Sequence, residues 1–137
     1  MKDVMQLNEC WTDLYFMLHY QHEEKISHQA VRIMQLLEKS DEIGIKEIAA
    51  FLGVSHNTGS EHVKRLIDKK YIEKFRSKQD ERRVVLALTE EGRFVLHRNT
   101  SLDEDKLKIL LESLSEKERK SVLGAFALLS DKAKSCF

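Results

Sequence analysis

The chain has 137 residues, no proline and a net charge of zero, with 23 Lys and Arg against 23 Asp and Glu. This length fits one compact domain, and the absence of proline favours long helices. There is no apolar run of about 20 residues for a membrane span, and the polar start MKDVMQLNECW is not expected to act as a secretory signal. Cys10 and Cys136 lie near opposite ends, so no disulfide framework is expected and a cytoplasmic protein is predicted.

Charge is distributed unevenly along the chain. Residues 56–83 carry nine basic and five acidic side chains, whereas residues 1–24 carry one basic and five acidic side chains. A local excess of positive charge can bind phosphate while the whole protein stays neutral. Without a motif around it, the same excess would be interpreted as a solvated charged face.

Helical periodicity predicts the first three elements. Residues 4–22 place apolar side chains at steps of three and four, which predicts one long first helix. Ser27 can cap a second helix, and Gly44 separates that helix from a short third one. Gly53 follows the third helix, where a left-handed backbone conformation is often needed.

The period changes from near four to two after a fourth helix, which Ser55 is predicted to cap. The segments IEKFR (72–76) and RVVLAL (83–88) therefore predict a β-hairpin, and the polar loop SKQDER between them predicts a basic tip. One face of the second strand is expected to carry Val84, Leu86 and Leu88.

Two further helices are predicted at the carboxyl end. Thr89, followed by two acids, marks the start of a fifth helix that is expected to run to about residue 112. Ser115 and Glu118 have the spacing of a capping box, which predicts the start of a sixth helix.

The terminal helices carry more apolar surface than one small lobe is expected to cover, for example at Trp11, Leu110 and Phe126. A symmetric dimer would bury this surface.

Residues 45–92 resemble the winged helix-turn-helix of the MarR family of bacterial transcription regulators. LGVSHNTGSEHVKRL contains the Leu-Gly-Val-Ser turn and the Ser-x-His-Val-Lys-Arg-Leu recognition helix of that family. DERRVVLALTEEG contains the Asp-x-Arg and Leu-Thr-Glu-x-Gly pattern of its wing. The resemblance implies a single domain over residues 1–137, mainly α with a small β-hairpin. A winged-helix DNA-binding lobe would occupy residues 27–92, and dimerisation helices would occupy residues 1–26 and 93–137.

The resemblance also implies a function. It predicts a homodimeric, cytoplasmic transcriptional regulator, a repressor rather than an enzyme, that binds a pseudo-palindromic operator in duplex DNA. Release from DNA would follow when a small-molecule effector or another signal is sensed. No cofactor and no membrane partner are expected. The sequence itself agrees, since it has neither a Gly-rich phosphate loop nor a nucleophile motif.

Site residues are carried over from the family by position. Arg82 matches the wing arginine that enters the minor groove, and Asp80 matches the acid that orients this arginine through a charge-assisted pair. Phosphate contacts are expected from Lys64, Lys78 and Arg83. The part of the recognition helix that faces DNA is expected to contribute Ser55, His56, Asn57, Thr58, Ser60, His62 and Arg65.

Two residues of the recognition helix depart from the family pattern. Gly59 stands where a buried Val or Ala is usual, so this helix is expected to be either softer or packed more closely on the third helix. Glu61 places a carboxylate where it would repel phosphate, although it could accept a hydrogen bond from cytosine. These departures motivate an alternative hypothesis, a winged-helix protein-interaction module without specific DNA binding.

Other motifs motivate sensing hypotheses. Cys10 could sense oxidants, but the acids near it disfavour a thiolate and a half-buried structural thiol is the preferred interpretation; Cys136 is interpreted as incidental. A metal site could use His19, His22, Glu23 and His28, and the alternative is a solvated helix end. An aromatic ligand could bind between the lobes near Trp11, Phe16, Tyr20 and Phe51, although such residues are more often core.

Overall fold

The computed structural model describes residues 1–21 and 24–137, and over these residues the chain forms seven helices and one two-stranded antiparallel sheet. The mainly α fold with a small β-hairpin predicted from the sequence is confirmed. None of the described helices is long and apolar enough to cross a membrane. The elements in chain order are α1 (Lys2–Leu18), α2 (His28–Lys39), α3 (Ile45–Leu52), α4 (His56–Asp68), β1 (Ile72–Arg76), β2 (Val84–Leu88), α5 (Glu90–Thr100), α6 (Glu104–Glu112) and α7 (Glu116–Cys136).

These elements form two compact units. The terminal unit consists of residues 1–18 and 102–137, and the central unit consists of residues 19–101. Helix α5 lies in the central unit, where Val95 and Leu96 are buried. The division of the single chain into units does not test which residues form a dimer. The assignment of residues 93–137 to dimerisation therefore stays a prediction.

The central unit is built around one hydrophobic core. Helices α2, α3, α4 and α5 and the hairpin each contribute apolar side chains that are removed from water, which is the main stabilising contribution to such a fold. The core residues with the least exposure are Ile33, Met34, Ile48, Val63, Ile72, Val85, Val95 and Leu96.

The hairpin, which we call the wing, pairs Ile72 with Leu88 at its base and Arg76 with Val84 towards its tip. The other edge of β2 contacts the turn before α3, because the backbone N–H of Leu86 donates to the carbonyl of Ile43 at 2.8 Å. The prediction that Val84, Leu86 and Leu88 share one face agrees with the strand over residues 84–88, since alternate side chains of a strand lie on the same face. Val84 is exposed and Val85 is buried, so burial in β2 does not follow simple alternation.

Capping side chains fix where the helices begin. Ser27, Ser55, Thr89 and Ser115 each accept a hydrogen bond from a backbone N–H in the first turn of the helix that follows, as the sequence predicted. An additional cap was not predicted: Asp103 accepts from the N–H groups of residues 105 and 106 and starts α6.

Two predicted helix lengths are therefore wrong. The fifth helix does not run to about residue 112, because it ends at Thr100 and a separate helix begins after Asp103. The first helix ends at Leu18, and residues 19–21 are not helical. His22, to which the first helix was predicted to extend, lies outside the described residues.

The terminal unit leaves large apolar side chains exposed in the single chain. Trp11 on α1 is 54% exposed, and Phe126 on α7 is 46% exposed. Both line an apolar groove of about 650 Å³ between α1 and α7, together with Leu7, Cys10, Leu14, Ala125 and Leu129. Exposed apolar surface of this kind is typical of places where proteins bind another molecule.

Candidate nucleic-acid interface

The turn between α3 and α4 has the geometry of a helix-turn-helix. Gly53 adopts φ 69°, in the left-handed region, and thereby ends α3. The next residue, Val54, donates its backbone N–H to the carbonyl of Ala49 at 3.0 Å. Ser55 then caps α4 by accepting from the backbone N–H of Thr58 at 3.2 Å, and its hydroxyl lies 3.0 Å from that of Thr58. The amino end of α4 is therefore held by local hydrogen bonds.

Helices α3 and α4 pack closely against each other at Gly59. A Cβ atom added there would lie 3.1 Å from the Cβ of Ala49, which is tighter than most real Cβ contacts. Gly59 is buried as predicted. The sequence left open whether this glycine makes α4 softer or lets it pack more closely on α3. The structure has the closer packing.

The outer face of α4 is polar and open to solvent. His56, Asn57 and Thr58 in its first turn are exposed, and Ser60 is partly buried. The remaining predicted contacts lie further along the helix, with Lys64 and Arg65 exposed and His62 partly buried. His62 and Arg65 also line a groove of about 600 Å³ beside the start of α2.

The start of α4 and the wing share one depression on the central unit. His56, Lys74 and Arg83 all line this depression of about 660 Å³. Lys74 also lies beside Ser60 and Lys64 in a second, smaller depression. Lys74 was not among the predicted site residues, although the basic excess of residues 56–83 contained the signal. Its exposed side chain adds positive charge on the part of the wing that lies beside α4.

The tip of the wing holds an arginine in a defined orientation. Asp80 Oδ1 accepts from the backbone N–H of Arg82 at 3.1 Å and from its Nε at 3.3 Å. The predicted pairing of these two residues is thereby confirmed. The Arg82 side chain remains 92% exposed. An exposed ion pair contributes little to stability, so its main effect is to orient the guanidinium.

Arg83 has surroundings different from those of its neighbour. Its side chain is only 39% exposed, and its guanidinium forms an ion pair with Glu47. The same group donates to the backbone carbonyl of Glu42 at 2.8 Å. Arg83 is thus bound to the segment that leads into α3, whereas Lys78, the other predicted phosphate contact of the wing, is exposed.

The residues of the sensing hypotheses are distributed as follows. Cys10 is exposed on α1, so the expected half-buried thiol is wrong for the single chain; Cys136 is exposed as well. Two members of the hypothetical metal site, His22 and Glu23, lie outside the described residues. Among residues 1–21 and 24–137, no three His, Cys, Asp or Glu side chains are grouped so that they could hold a metal ion.

The aromatic residues of the predicted ligand pocket belong to both units. Trp11 and Phe16 lie on α1 in the terminal unit. In the central unit, Tyr20 is buried with its hydroxyl 3.2 Å from Nε2 of His97. Phe51 lies under the guanidinium of Arg32, 4.7 Å from its ring centroid. An aromatic pocket between the lobes stays a prediction.

Two proteins with similar sequences are HTH-type transcriptional regulators. The HTH-type transcriptional regulator SarZ of Staphylococcus aureus is 24% identical over 107 residues, which cover 77% of this chain and 70% of SarZ. The uncharacterized HTH-type transcriptional regulator YfiV of Bacillus subtilis is 27% identical over 105 residues, which cover 77% of this chain and 66% of YfiV.

Solved structures have the same fold. MepR of S. aureus bound to ethidium bromide superposes with a TM-score of 0.63 at 20% identity, over 95% of this chain and 93% of MepR. A transcriptional regulator of Thermotoga maritima gives a TM-score of 0.62 at 21% identity, over 82% and 79% of the two chains. The MarR-type fold predicted from residues 45–92 is confirmed by these structures.

The sequence model of the family described as transcriptional regulator SarA/Rot matches residues 15–99. This match spans α2 to α5, including the helix-turn-helix and the wing. Since it covers more than half of the chain, the protein belongs to the SarA/Rot family of transcriptional regulators, and it is a regulator rather than an enzyme.

Proposed function

We propose that the protein is a cytoplasmic homodimer that binds a pseudo-palindromic operator in duplex DNA and represses transcription. The observation that carries this proposal is the arrangement of the central unit. It holds the exposed polar start of α4 and an arginine oriented by Asp80 at the tip of the wing. These two elements suit the two grooves of duplex DNA.

Helix α4 would enter the major groove. Ser55, His56, Asn57, Thr58 and Ser60 offer short hydroxyl, amide and imidazole groups near a helix start, where backbone N–H groups and the helix dipole favour phosphate. The side chains of the next turn, including His62, Lys64 and Arg65, would reach base edges and phosphates. The cap at Ser55 and the close contact at Gly59 hold the start of α4 in place before DNA binds. The helix would therefore lose little conformational entropy on binding.

Arg82 would enter the minor groove. Its guanidinium is exposed and oriented, and the narrow minor groove attracts such cations through its negative potential. Lys78 at the tip would contact the phosphate backbone nearby. Contacts to phosphate make binding strongly salt-dependent.

Dimerisation would use the terminal unit. A single chain exposes Trp11 and Phe126, which line the apolar groove between α1 and α7. A second copy of the chain would bury this surface and supply a second α4 for the other half of the operator. Sedimentation of the free protein tests this point, since a stable monomer at micromolar concentration would contradict it.

Release from DNA would respond to a small-molecule effector. The fold supports this proposal, because MepR was solved with ethidium bromide bound. A thiol- or metal-triggered form of the same regulator is separated from a ligand-gated form by thiol titration and metal analysis of the purified protein. Exposed Cys10 makes the thiol titration informative.

The experiment that tests operator binding compares two arginine variants. Arg82→Ala should weaken operator binding by about 1–3 kcal/mol in a titration at low salt. Arg93→Ala, which removes an exposed arginine of α5 outside the proposed contacts, is the control for the change in net charge and should bind as the wild type does. If both variants keep wild-type affinity, the role of the wing in minor-groove binding is rejected.

One observation favours the alternative function. Glu61 is exposed on the outer face of α4, where its carboxylate would repel phosphate. A winged-helix protein-interaction module would accommodate this charge. Selection from a random duplex library decides between the two functions, since a regulator enriches one pseudo-palindrome and the interaction module enriches none.

A further inference from the structure

A buried serine organises the start of the wing loop. Ser77 is only 2% exposed, and its hydroxyl donates to the carboxylate of Glu42 at 2.5 Å. The same oxygen accepts from the backbone N–H groups of Gln79 at 3.1 Å and Asp80 at 3.2 Å. The backbone N–H of Ser77 donates to the carbonyl of Arg83 at 2.9 Å. The loop from 77 to 83 is therefore folded around one side chain.

The carboxylate that receives this hydroxyl belongs to the turn between α2 and α3. Glu42 adopts φ 56°, a conformation uncommon for a residue other than glycine. Its carboxylate binds Ser77 and its backbone carbonyl binds Arg83, so both ends of the wing loop hold it. Glu47, the other partner of Arg83, also accepts from the backbone N–H of Gly44 at 3.1 Å. The turn before α3 and the wing loop thus form one hydrogen-bonded assembly.

This assembly ends at the arginine of the tip. Ser77 fixes the backbone N–H of Asp80, and Asp80 in turn holds the backbone and the guanidinium of Arg82. The next residue, Arg83, points back towards Glu42 and Glu47. Adjacent arginines therefore have opposite orientations, one towards solvent and one towards the turn before α3.

We propose that Glu42, Ser77 and Arg83 are positioning residues for Arg82, and we call these three residues the wing latch. They set the orientation in which Arg82 meets the minor groove, and none of them contacts DNA. This proposal rests on the proposed function, since it requires that Arg82 binds DNA. A tip that is ordered before binding loses less conformational entropy when it binds. Arg83 thereby takes a positioning role in place of the phosphate contact predicted from the sequence.

A double-mutant cycle on operator affinity tests the wing latch. Ser77→Ala should weaken binding about tenfold, the factor that corresponds to a lost hydrogen bond to a charged group. Arg83→Gln should have a similar effect. In the Arg82→Ala background, neither substitution should weaken binding further, because the group that they position is absent. Additive losses in that background would overturn the proposal.

Salt dependence separates positioning from phosphate contact. The slope of log affinity against log salt concentration should stay at its wild-type value in Ser77→Ala and in Arg83→Gln. Lys78→Ala is the matched control, and its slope should fall in magnitude by about 2, since each of the two protomers loses one phosphate contact worth about 1. A fall of that size in Arg83→Gln would assign this arginine to the phosphate backbone and overturn its place in the wing latch.

Hydrogen exchange in the free protein tests the wing latch without DNA. The amides of Gln79 and Asp80 should exchange faster in Ser77→Ala than in the wild type, while the core helices exchange as before. If Ser77→Ala does not fold, two substitutions of Glu42 provide the same test. Glu42→Ala should lose the protection of these two amides against exchange. Glu42→Gln keeps an acceptor for the Ser77 hydroxyl and should retain most of that protection. Unchanged exchange in Glu42→Ala would overturn the wing latch, whereas a wild-type protein that binds no duplex would overturn the proposed function instead.

Discussion

Gly92 in the first turn of α5 packs directly on the backbone that joins α4 to β1. A Cβ atom added at Gly92 would lie 2.8 Å from the carbonyl carbon of Tyr71 and closer still to its oxygen. The same carbonyl accepts from the backbone N–H of Thr89 at 3.0 Å, and the Thr89 hydroxyl donates to the carbonyl of Lys70 at 2.6 Å. Gly92→Ala must therefore displace α5 and strain both hydrogen bonds.

The magnitude follows from three contributions. Overpacking costs about 1–3 kcal/mol, and the two hydrogen bonds of Thr89 contribute about 1 kcal/mol each. Replacing a helical glycine with alanine offsets about 1 kcal/mol of this loss. We therefore expect Gly92→Ala to lower the free energy of unfolding by about 2–4 kcal/mol.

Urea unfolding at a fixed protein concentration measures this loss, with an unchanged m-value as the sign that the unfolded state is not altered. Gly124→Ala on α7 is the matched control, because a Cβ there meets nothing within 4 Å. It should stabilise the protein by up to about 1 kcal/mol. Gly59→Ala should lie between the two, since its Cβ would meet Ala49 at 3.1 Å. If Gly92→Ala is as stable as the wild type, the close approach of α5 is refuted.

Three further predictions concern the turn, a cap and the terminal unit. Gly53→Ala should lower the free energy of unfolding by about 1–2 kcal/mol because its φ is positive, which urea unfolding measures. The hydrogen bond from the backbone N–H of Ser115 lowers the pKa of the Glu118 carboxyl. The ionised carboxylate therefore stabilises the folded protein at neutral pH, and this stability is lost as the pH falls through the lowered pKa. Glu118→Gln should have a lower free energy of unfolding than the wild type at pH 7 and the same value in strong acid. Phe126→Ser should shift the protein from dimer to monomer in sedimentation, and an unchanged mass would exclude this face of α7 from the interface.

Local signals predicted most of the central unit. Ser55 and Thr89 were recognised as caps because short hydroxyl side chains accept hydrogen bonds from the next turn. Gly53 was recognised because few other residues adopt a positive φ at low cost. Each of these features depends on residues within about five positions, so the sequence alone contains the information.

The errors have physical reasons. The break between α5 and α6 contains neither glycine nor proline, and its signal was Asp103 followed by two acids, the pattern of a capped helix start. Alternation along β2 does not decide burial, because Val85 is buried as well as Leu86 and Leu88, and this strand contributes side chains to the core on both faces.

The contacts that were missed join residues far apart in the sequence. Ser77 and Glu42 are separated by 35 positions, and no local pattern marks their hydrogen bond. Arg83 was assigned to phosphate because it is a cation beside the wing tip, and only the fold brings Glu47 to its guanidinium. Tertiary placement thus decides whether a basic side chain faces solvent or an internal acid.

The bond from Leu86 to Ile43 and the two partners of Arg83 bear on the exchange of parts between related regulators. A chimera that transplants the hairpin of residues 72–88 alone would lack the carboxylates of Glu42 and Glu47. It would also lack the carbonyl of Ile43, which accepts the hydrogen bond from Leu86 in β2. A segment that keeps these hydrogen bonds intact begins before α3, at about residue 41, and ends in the first turn of α5. Recombination or design that respects these limits would carry the recognition helix and the hairpin together as a single cassette.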